Sequence, residues 1–261
     1  MILIVGNILK DVYLNLDSRT ENFETDKNGT RWLDFSFDAS SHHFFHRVSI
    51  FGGAAVSLEI FQNFKIPASI SCADFNFYDE KTAPASAYRY ILISEDDVTY
   101  LTPSRPTITH FAVPDAQPDY IFVDRSANLD ASASAKISAY LDEHPKTELI
   151  LYFKNPSGPY QNLVEKSTLI FSEDKSQNLP HDKTIHLSDH DITFGDDLEP
   201  VTAHRVDKLT RLSFYSIISA TIVACFIKDY TVAKSLHYAK INVENSNLDS
   251  TLSPTEIEQS I

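Results

Sequence analysis

The residues that could do chemistry fall into four groups along the 261-residue chain. The first is Gly6-Asn7 followed by Asp11, just past the apolar run Ile2-Leu3-Ile4-Val5. Ligands of open α/β sheets collect beyond the carboxyl ends of strands, and a carboxylate there can accept hydrogen bonds from two sugar hydroxyls. Asp11 also fits an ordinary turn-forming Asp after a strand. The second group is Gly52-Gly53-Ala54-Ala55, with Ser57 behind it. Paired glycines let backbone approach a ligand closely, and a helix starting there offers free N–H groups, although a plain strand-to-helix turn has the same look. The third, Ser188-Asp189-His190-Asp191, follows the short run Ile185-His186-Leu187. Two carboxylates there favour a phosphate only if a cation joins them. The fourth is Thr210-Arg211-Leu212-Ser213, directly ahead of the apolar stretch Phe214 to Ile227. Arg211 could hold a phosphate, or serve as a cap or surface charge. The Ser213 hydroxyl ionises far above neutrality and makes a poor general base.

These groups need elements to hold them. Residues 1–7 read as a strand ending in Gly6-Asn7, and Val12 to Asp17 as a second strand; 18–30 reads as loop. Trp32 to Phe37 alternates apolar and polar residues, as a half-buried strand does. Ala54 to Phe64 has helical periodicity, and Pro67 restarts the chain into a strand over Ala68 to Cys72. β-prone residues between 86 and 112 predict antiparallel strands. Tyr120 to Val123 and Leu149 to Phe153 are compact buried strands, with the amphipathic helix Ala131 to Glu143 between them. A short helix is expected over Leu163 to Lys166, and strands over Thr168 to Phe171 and Thr184 to Leu187. Residues 211–227 and 231–243 read as two closing helices, the first apolar nearly all round and so buried. The tail from Asn245 is polar and expected to fray. Strand–helix alternation of this kind predicts an α/β fold, a mainly parallel sheet with helices on both faces.

Composition narrows the rest. A net charge of −14 argues against nucleic acid as a partner, because that binding draws on phosphate neutralisation. The first residues run straight into a strand, and the longest apolar run is shorter than the roughly 20 residues of a membrane span. The expectation is a cytoplasmic protein with no membrane partner. Cys72 and Cys225 sit far apart in apolar settings and are expected to be buried, reduced thiols. His42, His43 and His46 lie in β-like context without an acidic or Cys partner at fixed spacing, so no metal site is expected. Six glycines is a low count, since typical usage is about 7%.

Order and spacing of these groups resemble the ribokinase (pfkB) family of sugar and nucleoside kinases, over nearly the whole chain. The resemblance implies a ribokinase-like three-layer sandwich over residues 1–261. A small β lid would come from about 12–50 and part of 86–112, and homodimers could form through it. It implies substrate contacts from Asn7, Asp11, Gly52, Gly53 and Ser57, with Ser57 at a position where the family has Asn. The closing Gly of that helix is Lys65 here. Asn155-Pro156 resembles part of the family's Asp-Pro-Asn-Pro. The family's Pro-Asn-x-x-Glu becomes Phe171-Ser172-Glu173-Asp174-Lys175, where Glu173 or Asp174 could substitute. Nucleotide contacts would fall on Ser188, Asp191, Thr210 and Leu212, in loops that have lost their glycines. Ser213 stands at the family's catalytic Asp position, with Arg211 beside it. Losing a positioned base costs about 10²–10⁴ in rate, and losing an oriented N–H donor about 10²–10³ more.

The resemblance therefore implies a sugar or nucleoside pocket with phosphoryl transfer lost or impaired, and Mg-ATP as cofactor for any activity that remains. Two alternatives stand beside it. One is an active kinase with a displaced base, Asp207 or Asp191. The other is a non-catalytic structural protein whose pocket is plugged by aromatics such as Phe214 and Tyr215.

Overall fold

Short apolar runs alternating with amphipathic stretches build a layered α/β structure. The computed structural model describes residues 1–15, 23–25, 31–33, 47–72, 76–78, 87–93, 98–101, 106–109, 111–153, 159–188, 190–201, 210–246 and 251–260. The first half holds β1 (Ile2–Val5), β2 (Ile8–Asn15), β3 (Phe23–Thr25), β4 (Arg31–Leu33), β5 (Arg47–Gly53), α1 (Ala54–Asn63), β6 (Ala68–Ser71), β7 (Asn76–Tyr78), β8 (Ala87–Ile93) and β9 (Val98–Leu101). After these come β10 (Tyr120–Val123), α2 (Ala131–Glu143), β11 (Glu148–Phe153), α3 (Gln161–Val164) and β12 (Ser167–Ser172). A 3-10 turn over His181–Lys183 leads to β13 (Thr184–Leu187), β14 (Asp191–Phe194), β15 (Asp197–Pro200), α4 (Thr210–Ile227), α5 (Val232–Asn245) and α6 (Pro254–Gln259).

One nine-stranded sheet has the order β15-β14-β13-β12-β11-β10-β1-β6-β7. The run from β13 to β6 is parallel, and β14, β15 and β7 add antiparallel edges. From β1 the chain reaches β6 on one side through α1, then returns to β10 on the other. That reversal makes β1 and β10 the topological switch point, where open α/β sheets leave a crevice. A second sheet, β5-β2-β8-β9, continues beyond the carboxyl end of β1, and β3 pairs with β4.

Side chains alternate across the central sheet. Ile2, Ile4, Phe122, Ile150, Tyr152 and Phe171 face α1, α4, α5 and α6. Leu3, Val5, Ile121, Val123, Leu149 and Leu151 face α2 and α3. Both faces are thus covered, giving the expected three layers, and burying one such side chain contributes about 1.5–3 kcal/mol. α4 is buried from Phe214 to Cys225, as its all-round apolarity predicts. Caps fix the helix starts: Asp130 accepts from Ala133 N at 2.7 Å, and Thr231 from Lys234 N at 3.3 Å. Cys72 and Cys225 are buried and form no disulfide among the described residues, and burial pushes the Cys225 thiol up to about 12.

Three expectations are corrected. The tail does not fray throughout. Ser253 and Glu256 form a capping box that starts α6, and Ile257 is buried. Thr251 N also donates to Glu59 Oε1 at 2.8 Å, fastening the tail to α1. The segment 18–30, expected as loop, contributes β3, whose three residues pair with β4. The short helix ends at Val164 rather than reaching Lys166. Among the described residues no helix is long and apolar enough to cross a membrane, and no metal-binding cluster occurs. His42, His43 and His46 lie outside the described residues.

Candidate functional site

The turn after β1 places Asn7 at the switch point, fully buried. Its Nδ2 donates to the carbonyl oxygens of Pro106 (2.9 Å) and Ser126 (3.2 Å). Its own carbonyl oxygen accepts from Ala54 N at the start of α1 (3.1 Å). Asn7 Oδ1 is buried and meets no donor among the described residues. Gly53, paired with Ile8, caps α1 with φ 64° and ψ −134°. A Cβ there would stand 2.5 Å from the Asn7 carbonyl oxygen, so both conformation and space demand glycine. Gly6 is held as tightly, since its Cβ would approach Ser126 Oγ to 2.8 Å.

Across this corner lies Asp124, the residue after β10, 1% exposed. It accepts from Ser57 Oγ (2.6 Å), Ser126 N (2.7 Å) and Ser126 Oγ (2.5 Å). Three donors satisfy a carboxylate taken out of water. Ser57, expected to face a ligand, thus spends its proton on Asp124. Asp11 lies in β2 opposite Ile50 and beside Arg89 of β8. Asn7, Asp11, Gly52, Gly53 and Ser57 therefore share the β1–β2–β5–α1 corner; the side chain of Asp11 lies outside the described residues.

Arg125, between Asp124 and Ser126, turns the other way. Its Nε and one terminal nitrogen donate to Glu173 at 2.7 and 3.1 Å, a bidentate pair bridging the ends of β10 and β12. Tyr152 Oη on the intervening β11 also donates to Glu173, at 2.7 Å. The guanidinium lies 4.9 Å over the Tyr215 ring of α4, a cation–π contact. Burial disfavours charge on Arg125, but the Glu173 hydrogen bonds outweigh it and raise its pKa. Burial first, then Glu173, holds the Tyr152 phenol well above its ordinary value. Sequence reasoning overlooked Asp124 and Arg125, whose signal was an acid and a base at the mouth of a buried strand.

Farther along, Ser188 to Asp191 closes the β13–β14 hairpin on itself. Ser188 Oγ accepts from the backbone N–H groups of His190 (3.1 Å) and Asp191 (2.9 Å), and Ser188 N donates to Asp191 O (2.9 Å). Lys175 approaches the Asp191 carboxylate at 3.4 Å. Burial pulls the Asp191 pKa up, but hydrogen bonds from Ser188 and the Lys175 charge prevail and lower it. Asp191 starts β14, five strand spacings from β1, or roughly 24 Å at about 4.8 Å each. That separation is beyond hydrogen-bond reach of the β1 corner. Asp207, the other displaced-base candidate, and the Asn155-Pro156 loop lie outside the described residues.

Thr210, Arg211, Leu212 and Ser213 form the first turn of α4, which carries no acidic residue. Their side chains lie outside the described residues. Tyr215, one step on, sets this turn beside Arg125, at the carboxyl edge of the sheet. Phe214 and Tyr215 are 3% and 8% exposed and pack edge to face at 5.2 Å. The geometry gathers the corner residues at β1 and sets the Arg125–Glu173 pair beside the start of α4; Ser188 and Asp191 lie four and five strands from β1, but one and two from β12, which ends beside Glu173.

Neither a protein-family model nor a curated protein matches the sequence. Solved structures do match. The chain is similar to Arabidopsis thaliana ribokinase complexed with ribose and ATP, at 9% identity and TM-score 0.61, covering 99% of this chain and 97% of that one. A Methanocaldococcus jannaschii nucleoside kinase, an archaeal member of the ribokinase family, matches at 13% identity and TM-score 0.61, covering 99% and 96%. A Burkholderia thailandensis nucleoside kinase in complex with inosine matches at 12% and 0.59, covering 100% and 96%. With coverage this complete and identity this low, the likeness is one of architecture: the chain has the ribokinase-like α/β fold over nearly its whole length.

Proposed function

We propose that this ribokinase-fold protein keeps a sugar or nucleoside pocket at the β1–β2–β5–α1 corner and has lost, or nearly lost, ATP-dependent phosphoryl transfer. The reading rests on one observation above all: the first turn of α4 carries no acidic residue. A hydroxyl poised for phosphorylation needs a base within hydrogen-bond reach, and Ser213 is a poor one. Two further features support it. The Ser188–Asp191 turn spends its backbone N–H groups internally, and Glu173 is gripped by Arg125. Mg-ATP is the cofactor for any residual activity. The protein would act as a sensor, a regulator or a partner subunit, with the β5-β2-β8-β9 sheet as a lid and a homodimer contact.

A structural role is the second reading. It is favoured by the corner's internal bonding, since Asn7 Nδ2, Ser57 Oγ and both Asp124 oxygens are bonded within the protein and only Asn7 Oδ1 meets no donor among the described residues of the corner. The burial of Phe214 and Tyr215 beside the start of α4 points the same way.

Thermal stability against a panel of sugars and nucleosides, with and without Mg·ATP, separates the readings. A ligand at about 100 times its Kd adds about 2.7 kcal/mol. Stabilisation by a sugar or nucleoside without turnover is the expected result. ADP release under the same conditions would overturn the loss of catalysis, and no shift from any compound would favour the structural role.

A further inference from the structure

Opposite the crevice, the amino edge of the sheet carries a depression of about 450 Å³. β1, four residues or roughly 13 Å long, separates it from Gly6. Its lining includes Lys65 just past α1, Lys228 just past α4, Lys146 ahead of β11, and Asp119, Tyr120 and Glu148 at the strand starts. Among the described residues, none of the three lysines forms an ion pair. Asp119 is engaged by the chain's terminal amine. On a chain of net charge −14, the three lysines and the terminal amine outnumber Asp119, Glu148 and the neighbouring Asp229, which leaves a small local excess of positive charge.

Lys65 carries a second, independent signal. It closes α1 in the left-handed region, φ 57°, through Lys65 N to Gln62 O and Ile66 N to Phe61 O at 2.9 and 2.8 Å. Glycine is the low-strain residue for this position. Helix dipoles explain a cation near a helix end, but not a lysine held in a strained backbone conformation at the rim of a hollow. Asp229, next to Lys228, closes α4 in the same region at φ 56°, so left-handed strain is retained at two helix ends by this hollow, and retained strain is a pointer to function. Tyr120, its ring edge-on to Phe226 at 6.4 Å, forms a fixed wall with a phenol group. Glu148 adds an acceptor.

We propose that this hollow binds a small phosphorylated sugar. Lys65, Lys146 and Lys228 bracket the phosphate, while Glu148 and the Tyr120 phenol meet sugar hydroxyls. The ligand chemistry is distinct from that of the crevice, because the crevice residues offer a carboxylate and amide rather than clustered cations.

Titration calorimetry of the full chain in low salt tests this with three probes: glucose 6-phosphate, inorganic phosphate and glucose. Glucose 6-phosphate should bind, more weakly as salt rises. Phosphate should bind less tightly, and glucose not at this site. Lys65→Gly and Lys146→Gln should each weaken glucose 6-phosphate by about tenfold. Lys65→Gly should at the same time raise the melting temperature, so lost binding cannot be misfolding. Unchanged affinity in both variants, or no heat at millimolar glucose 6-phosphate, overturns the proposal. Phosphate binding as tightly as the sugar phosphate overturns its sugar half. Loss of glucose 6-phosphate binding in Asp11→Asn would place the ligand in the crevice, overturning this site while leaving the reading of the crevice intact.

Discussion

Arg125 and Glu173 tie the ends of β10 and β12 together across β11, through hydrogen bonds of 2.7 and 3.1 Å. The side chains are 20% and 34% exposed, so water screens the pair only in part. Glu173→Gln keeps an acceptor for Tyr152 Oη but leaves Arg125 without its counter-charge. We expect a loss of about 1–2 kcal/mol, between an exposed ion pair and a buried charged hydrogen bond. Urea unfolding of Glu173→Gln, Arg125→Met and the double variant gives the coupling energy directly. Strict additivity would mean the two side chains are neighbours rather than partners.

Gly53 and Asp229 are opposite tests of backbone strain. Gly53 at φ 64° has the Asn7 carbonyl oxygen 2.5 Å from where a Cβ would go. Gly53→Ala should cost about 3 kcal/mol or more, through strain and a displaced α1 start. Asp229 closes α4 at φ 56° without a glycine's freedom. Asp229→Gly should add about 0.5–1 kcal/mol, the relieved left-handed strain less the added chain entropy. Calorimetric melting of both variants checks the signs, and a stabilising Gly53→Ala would defeat the account of the corner.

Much of the scaffold was legible because burial writes itself into composition. Tyr120-Ile121-Phe122-Val123 has no polar face to expose and can only be an inner strand, and the 131–143 helix matches its boundaries residue for residue. β15 was not legible: Asp-Leu-Glu-Pro is an edge strand, polar because one side is never covered. α6 was missed for a different reason. Its six residues are anchored by Thr251 to Glu59, a contact 192 residues apart that no local pattern encodes. The site divides the same way. Gly53 and Asn7 were found from chain order, whereas Ser57–Asp124 and Arg125–Glu173 are pairings between distant segments. Ser188 is set at the nucleotide by the family resemblance alone, since its neighbours include two carboxylates and no glycine. In the fold its hydroxyl is the cap of a hairpin.

His186 supplies a pH dependence. Burial, with Lys175 and His181 nearby, holds its imidazole below the ordinary 6.5 despite Asp174. Its Nδ1 is buried and meets no partner among the described residues. Because the folded pKa is depressed, the unfolded chain takes up the proton first as pH falls. Stability therefore drops as pH decreases through about 6.5 and levels off below the folded pKa. His186→Gln should flatten the melting-temperature profile as pH falls through the ordinary imidazole value of 6.5. Parallel profiles for the variant and the parent would assign the acid sensitivity elsewhere.

Ser213→Asp tests the proposed loss of phosphoryl transfer at the first turn of α4. A base restored in the first turn of α4 could return about 10²–10⁴ in rate. Oriented N–H donors are worth a further ~10²–10³, and Leu212 and Thr210 still stand where the family has glycine. We expect no turnover from Ser213→Asp alone, measured as ADP release with Mg·ATP and whichever sugar or nucleoside stabilises the protein. Thr210→Gly with Leu212→Gly and Ser213→Asp should then exceed the single change. Measurable turnover from the single change would show that only the base was lost. If the triple variant binds substrate but stays silent, a defect beyond the first turn of α4 remains, and the β13–β14 turn, whose two N–H groups Ser188 Oγ engages, is the next place to change.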